Sequence, residues 1–163
     1  MSVTCSHFRI ILMNICRMFA NKHYAQAMLA FQQAEKDQKA AICYAFLLRE
    51  DARLIPNNLV KERENAFIKA GEAFSSCADE SQLDKKDERP IYYTNAADCF
   101  YQGHKFKEAG SCFMHAEQYT KAACAYQEGG HFDEMVEVLE EHKDQIEAKV
   151  FTQLTKVGML SKM

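Results

Sequence analysis

The residues of this chain with the greatest capacity for chemistry are its cysteines and histidines, seven and six in number. Cys112 and His115 lie three residues apart, on neighbouring faces of one predicted helix, and Cys99 and Cys124 occupy adjacent stretches of similar sequence. A zinc site needs four ligands that converge at about 2.0–2.3 Å. Because Cys112 falls within an apolar helical pattern, we expect a buried thiol packed between helices and predict no metal ligand.

Two further histidines, His104 and His131, fall in predicted turns. General acid–base catalysis would require a carboxylate or a nucleophile beside them, and the spacing of the polar residues supplies neither. The sequence also lacks the G-x-x-x-x-G-K-S/T pattern of a phosphate-binding loop. We therefore predict a protein that is not an enzyme, with no catalytic residue and no cofactor.

Charged residues offer two candidate surfaces. Lys105, Lys107 and Lys121 are too sparse to form a basic stripe, and the formal net charge is −3, so no direct nucleic-acid partner is predicted. An acidic run near the C-terminus could dock a basic partner, although a solvated outer helix face is the favoured interpretation. The run consists of Asp133, Glu134, Glu137, Glu140, Glu141, Asp144 and Glu147.

The cysteine pattern and the apolar segments bear on location. An odd number of cysteines without a C-x-x-C pair predicts reduced thiols in an intracellular protein, cytoplasmic or nuclear. The apolar stretch "RIILMNICRMFA" is too short for a membrane span and lacks a signal-cleavage site. No membrane association is predicted.

The elements that position these residues follow from a 13-residue period. Tyr93, Phe106, Tyr119 and Phe132 recur at that spacing. In one straight helix, residues 13 apart would lie roughly 220° apart around the axis, on nearly opposite faces. The period therefore predicts a helix of about ten residues followed by a turn of about three, repeated along the chain. Counted from the aromatic residue, positions 1, 4, 5, 8 and 11 form a core-facing stripe about 120° wide.

The same numbering predicts where the helices begin and end. Thr94, Thr120 and Asp133 are the expected N-caps. Gly103, Gly129 and Gly130 mark the expected helix ends.

The pattern recurs upstream in "YAQAMLAFQQA", "DQKAAICYAFL" and "FIKAGEAFSSC". Small residues at positions 4 and 5 would let helix backbones approach, and the aromatic residues would fill the space between units. The predicted inter-helix packing residues are Tyr24, Ala27, Phe31, Ala40, Tyr44, Phe67, Ala70, Phe74, Tyr93, Ala96, Phe100, Phe106, Ala109, Phe113, Tyr119, Ala122, Tyr126, Phe132 and Leu139.

These units predict an all-α fold, an α–α superhelix of short antiparallel helix pairs. Short connections force successive helices to run antiparallel, and one such helix cannot bury its stripe without neighbours. The predicted organisation is one continuous solenoid. It has helix pairs over residues 1–78, a charged connector over residues 79–90, and further helix pairs over residues 91–163.

The motif Tyr/Phe-x-x-Ala-x-x-x-Phe/Tyr-x-x-Ala/Gly resembles the second helix of a tetratricopeptide repeat (TPR). The helix pair spans 26 residues instead of the standard 34, and no proline closes each unit. The chain is therefore similar to the irregular TPR-like arrays of large multidomain proteins. The run A-x-C-F…A…Y…F-D-E-x-V-x-V-L also resembles the TPR-like region beside the UvrD-type helicase core of TPR and ankyrin repeat-containing proteins.

This resemblance implies a non-catalytic protein–protein interaction scaffold that binds a protein or peptide segment, including another domain of its parent chain. The alternative is an accessory helical region of a larger helicase-like protein that remodels nucleic acid. Residues 7–20 predict a first helix whose Phe8, Leu12 and Phe19 form a candidate interface for self-association.

Overall fold

The computed structural model describes residues 23–79 and 88–161, and over these ranges every regular element is helical. The α-helices are α1 (Tyr24–Gln33), α2 (Asp37–Leu54), α3 (Val60–Asp79), α4 (Arg89–Gln102), α5 (Phe106–His115), α6 (Tyr119–Glu128), α7 (Phe132–Glu141) and α8 (Ala148–Ser161). A short 3-10 helix, η1 (Lys143–Gln145), connects α7 to α8. The candidate interface at Phe8, Leu12 and Phe19 lies outside the described residues.

The 13-residue unit is confirmed most closely in the second half of the chain. Helices α5, α6 and α7 each contain ten residues and begin 13 residues apart, at Phe106, Tyr119 and Phe132. Three-residue turns separate them. Helix α1 has the same length, and the first residue of α2 lies 13 residues after the first residue of α1.

Helices α2, α3 and α4 are longer than predicted, with 18, 20 and 14 residues. The sequence of α2 contains no glycine or proline, so nothing ends the helix until Ile55, which turns extended before Pro56. Pro90, the last residue of the predicted charged connector, instead lies in the first turn of α4. Proline is tolerated there because the first helical N–H groups have no intrahelical acceptor.

The three-residue turns share one backbone geometry. In each of four turns the second residue has a positive φ: 54° at Glu35, 54° at His104, 58° at Glu117 and 73° at Gly130. The next residue donates its N–H to the carbonyl of position 8 of the preceding helix. These bonds, 2.8–2.9 Å long, join Lys36 to Phe31, Lys105 to Phe100, Gln118 to Phe113, and His131 to Tyr126. This is the Schellman arrangement that satisfies the last carbonyls of a helix.

The predicted helix ends at Gly103 and Gly129 are confirmed as C-caps, but the predicted N-caps are wrong. Helices α6 and α7 begin two residues earlier than those caps require, at the aromatic residue itself. Their N-caps are Gln118 and His131, which make no side-chain capping hydrogen bond. Thr94 lies inside α4, where its hydroxyl donates to the carbonyl of Pro90 at 2.7 Å.

Consecutive helices pack against each other along the described chain, and α6 also contacts α8. Small residues allow the close approach. A Cβ on Gly71 would lie 2.9 Å from the ring of Phe100, and one on Gly110 would lie 2.5 Å from the ring of Tyr126. Position 5 of one unit therefore receives the position-8 ring of the next unit along the chain. No helix among the described residues is long and apolar enough to cross a membrane.

The predicted packing residues divide into three groups. Most are buried: Tyr24, Ala27, Phe31, Ala40, Phe67, Ala70, Phe74, Ala96, Phe100, Ala109, Phe113, Ala122, Tyr126 and Leu139. Four of the position-1 aromatics are half-buried against the core: Tyr93, Phe106, Tyr119 and Phe132. Tyr44 is the exception.

The assignment of Tyr44 to the packing stripe was wrong, because its side chain is 48% exposed. Phe46, two residues further along α2, takes the inward position. Its ring stacks on Tyr24 at a centroid distance of 5.2 Å and meets Phe74 edge-on at 4.9 Å. The unit that begins at Asp37 has no aromatic residue at position 1, so the period alone misplaced the inward face of α2.

Candidate binding groove

The structure separates the residues first considered for metal binding. Cys112 is buried in α5, and burial raises the pKa of its thiol to about 11. His115 is exposed; its Nδ1–H donates to the carbonyl of Ser111 at 2.8 Å, and its ring stacks on Tyr93 at 4.9 Å. Within residues 23–79 and 88–161, no three His, Cys, Asp or Glu side chains are arranged to hold a metal ion.

The two turn histidines contact different neighbours. His104 Nδ1–H donates to the Glu64 carboxylate at 2.9 Å, which joins the turn after α4 to α3. His131 is the N-cap of α7, and its ring lies edge-on to Tyr126 at 6.5 Å. Each histidine is therefore accounted for by contacts that hold helices together.

The sparse lysines and the acidic run meet at one point. Lys107 Nζ lies 2.7 Å from Glu134 Oε1, which joins α5 to α7. Lys105, the N-cap of α5, has its Nζ 3.9 Å from Glu108 Oε1. Lys121 lies over the ring of Phe113 at 5.4 Å. The other acidic residues of the run are exposed: Asp133, Glu137, Glu140, Glu141, Asp144 and Glu147.

A groove that sequence reasoning missed lies where α2, α3 and α4 meet. Its larger part is a cavity of about 390 Å³. Helix α2 contributes Arg49 and Arg53, four residues apart and hence on one face. Helix α3 contributes Arg63 and Phe67 at the same spacing, and α4 contributes Asp98 together with its C-terminal residues. Three arginines thus line one cavity, and Asp98 is the one acidic residue among its described lining residues.

Arg49 is held on three sides. Its Nη1 donates to Asn95 Oδ1 at 2.5 Å, and its Nη2 lies 3.4 Å from Glu50 Oε1. Its guanidinium carbon lies 4.8 Å from the ring centroid of Phe46, within cation–π distance. The side chain is only 16% exposed. Arg49 therefore joins α2 to α4 and has little freedom to move towards a ligand.

Arg53 and Arg63 are the more available cations. Arg53 is 50% exposed and donates to Glu50 at 2.8 Å, so Glu50 bridges two arginines. Arg63 Nη1 donates to Asn57, and its guanidinium lies over the Phe67 ring at 5.6 Å. No carboxylate among the described residues lies within ion-pair distance of Arg63. In the described part of the chain, therefore, no anion at contact distance balances the charge of Arg63.

Asp98 is the resident anion of this cavity. Partial burial raises the pKa of its carboxyl, and the positive charges of Lys121, Arg49 and Arg53 oppose that rise. No ion pair within 4 Å links Asp98 to a cation in the described part of the chain. The cavity is therefore basic on balance, with one like charge that any incoming anion must approach.

The groove continues into a second cavity of about 260 Å³, which shares Arg63, Phe67, Tyr101 and Gln102 with the first. The second cavity carries Glu64 and Glu128. The pKa of the Tyr101 hydroxyl is raised to about 12. Burial is the larger cause, and the hydrogen bond from this hydroxyl to the Glu128 carboxylate is the second. The groove thus passes from a basic end, past two aromatic rings, to an acidic end.

Comparison with protein families, with curated proteins and with solved structures found no match to this chain. The chemistry of the groove is therefore inferred from its own residues.

Proposed function

We propose that this chain is a non-catalytic protein–protein interaction scaffold, and that the groove between α2, α3 and α4 holds a segment of a partner protein. The observation that carries the proposal is the groove itself. Residues from five consecutive helices, α2 to α6, line two adjoining cavities that combine cations, aromatic rings and carboxylates. Polar groups held at fixed positions in a concave site can fix the orientation of a ligand and provide specificity.

The repeated unit supports the wider architecture that we propose, a TPR-like superhelix of short helix pairs. Four turns share one hydrogen-bonding pattern, and each helix packs on its sequence neighbours. Such an array places side chains from successive helices at fixed separations, so binding a segment orders little of the scaffold. The alternative role, as an accessory region of a helicase-like protein, stays a prediction that no described feature favours.

Site-specific photo-crosslinking tests the scaffold. A photoreactive phenylalanine analogue replaces Gln102, which lines both cavities, or Lys69, an exposed residue of α3 outside them. We expect discrete crosslinked adducts with a partner protein from position 102 alone. An excess of the unmodified chain should compete for the partner and remove these adducts. Identical adducts from both positions, or none from position 102, would refute the groove as a binding site. An adduct with twice the mass of the chain would identify self-association instead.

A further inference from the structure

The three guanidinium groups of the groove have different roles. Arg49 is 16% exposed and is held by Asn95 and the Phe46 ring, so it acts as a positioning residue that keeps α2 against α4. Arg53 is half-exposed and shares Glu50 with Arg49. Only Arg63 lacks a carboxylate at contact distance among the described residues, and it is the one arginine that lines both cavities.

Arg63 is also oriented before any ligand arrives. Asn57 accepts a hydrogen bond from one Nη, the Phe67 ring supports the face of the guanidinium, and Arg63 lines both cavities. A guanidinium that is already fixed loses less conformational entropy on binding a carboxylate than a mobile one does. Arginine donors match the two oxygens of a carboxylate in geometry as well as in charge.

The other end of the groove decides between classes of anion. A nucleic acid presents a phosphate at every step and needs cations along its whole path. Here Glu64 and Glu128 line the second cavity, so a uniform polyanion would meet like charge after Arg63. A protein segment can carry acidic side chains at one end and neutral or basic ones at the other.

Resting on the scaffold function proposed above, we propose that the basic end of the groove, Arg53 and Arg63, binds the acidic side chains of an extended partner segment. Asp98 weakens this binding because its charge has the same sign as the ligand. Removing Arg63 and removing Asp98 should therefore change the affinity in opposite directions.

Fluorescence anisotropy with the full chain tests this assignment. The probe is a short, terminally capped, labelled peptide with glutamates in one half and neutral residues in the other, and its reference is the same peptide with glutamine in place of each glutamate. We expect the glutamate peptide to bind more tightly, with an affinity that falls as salt is added. Arg63→Gln should weaken that binding about fivefold, between the effects typical of an exposed ion pair and of a buried charged hydrogen bond. Asp98→Asn should strengthen it about two- to threefold.

Lys149→Gln removes the same charge at an exposed position on α8 and should leave the affinity unchanged. The circular dichroism spectrum and urea midpoint of each variant establish that it is folded. Equal affinities for the glutamate and glutamine peptides overturn the inference. An affinity for the glutamate peptide that neither Arg63→Gln nor Asp98→Asn changes also overturns it. Tighter binding of a labelled single-stranded oligonucleotide, or of a glutamine peptide with a free C-terminal carboxylate, overturns it in favour of that ligand. If position 102 still forms specific adducts, the scaffold stands and only the acidic ligand is wrong; without adducts, both proposals fall.

Discussion

Replacing Glu117 by glycine should stabilise the protein. Glu117 is the exposed middle residue of the turn between α5 and α6 and has a φ of 58°. A side chain in this left-handed region costs roughly 1–2 kcal/mol because Cβ approaches the carbonyl oxygen, a cost that glycine avoids. Glycine in turn loses about 0.5–1 kcal/mol more backbone entropy on folding. The difference predicts a free energy of unfolding higher by about 0.5–1 kcal/mol.

The equivalent turn position one unit further along, Gly130, allows the opposite substitution to be tested. Its φ is 73°, and a Cβ placed there would meet no atom within 4 Å. Gly130→Ala should therefore lower the stability by backbone strain alone, by about 1 kcal/mol. Ser111→Gly, in the middle of α5, is the control for adding a glycine to a helix and should cost about 0.5 kcal/mol.

Urea unfolding followed by circular dichroism measures all three variants, with the midpoint interpreted at constant slope. Glu117→Gly should raise the midpoint, whereas the other two variants should lower it. If Glu117→Gly lowers the midpoint as Ser111→Gly does, then the turn does not hold a left-handed residue, and the shared turn geometry is refuted.

Three further predictions follow from the packing. Ala122→Leu, at a fully buried position, should overpack the interface and lower the free energy of unfolding by about 1–3 kcal/mol. Glu137→Leu, on the exposed face of α7, should lower it far less. Equal urea midpoints for the two variants would contradict the assigned faces. Gly110→Val should lower the midpoint by a similar amount, since its Cβ would lie 2.5 Å from a buried ring, and an unchanged midpoint would mean that the two helices are not in close contact. Native-state alkylation should be slower at Cys99 than at half-buried Cys124, because burial raises the pKa of the Cys99 thiol to about 12, and the reverse order would place Cys99 at the surface.

The repeat could be predicted from the sequence where each unit begins with an aromatic residue. From Phe106 to Glu141 the helices have the predicted length and spacing. The positive φ at Glu35, His104 and Glu117 could not be predicted from residue type, because none of them is glycine. Their conformation is imposed by the hydrogen bonds of the turn and by the helices that it joins. The 13-residue spacing of His104, Glu117 and Gly130 is the signal that links them.

The groove was missed for a different reason: its arginines lie on the parts of the helices that depart from the repeat. A ten-residue unit beginning at Asp37 would end before Arg49 and Arg53, and a unit beginning at Phe67 would start after Arg63. The continuation of α2 to Leu54 and the start of α3 at Val60 bring all three side chains into regular helix. The regular units fix the separation between helices, and the extensions carry the side chains that line the site. An array of ten-residue units alone would contain none of these three guanidinium groups. The binding specificity that we propose for the groove therefore depends on the departures of the chain from its 13-residue period.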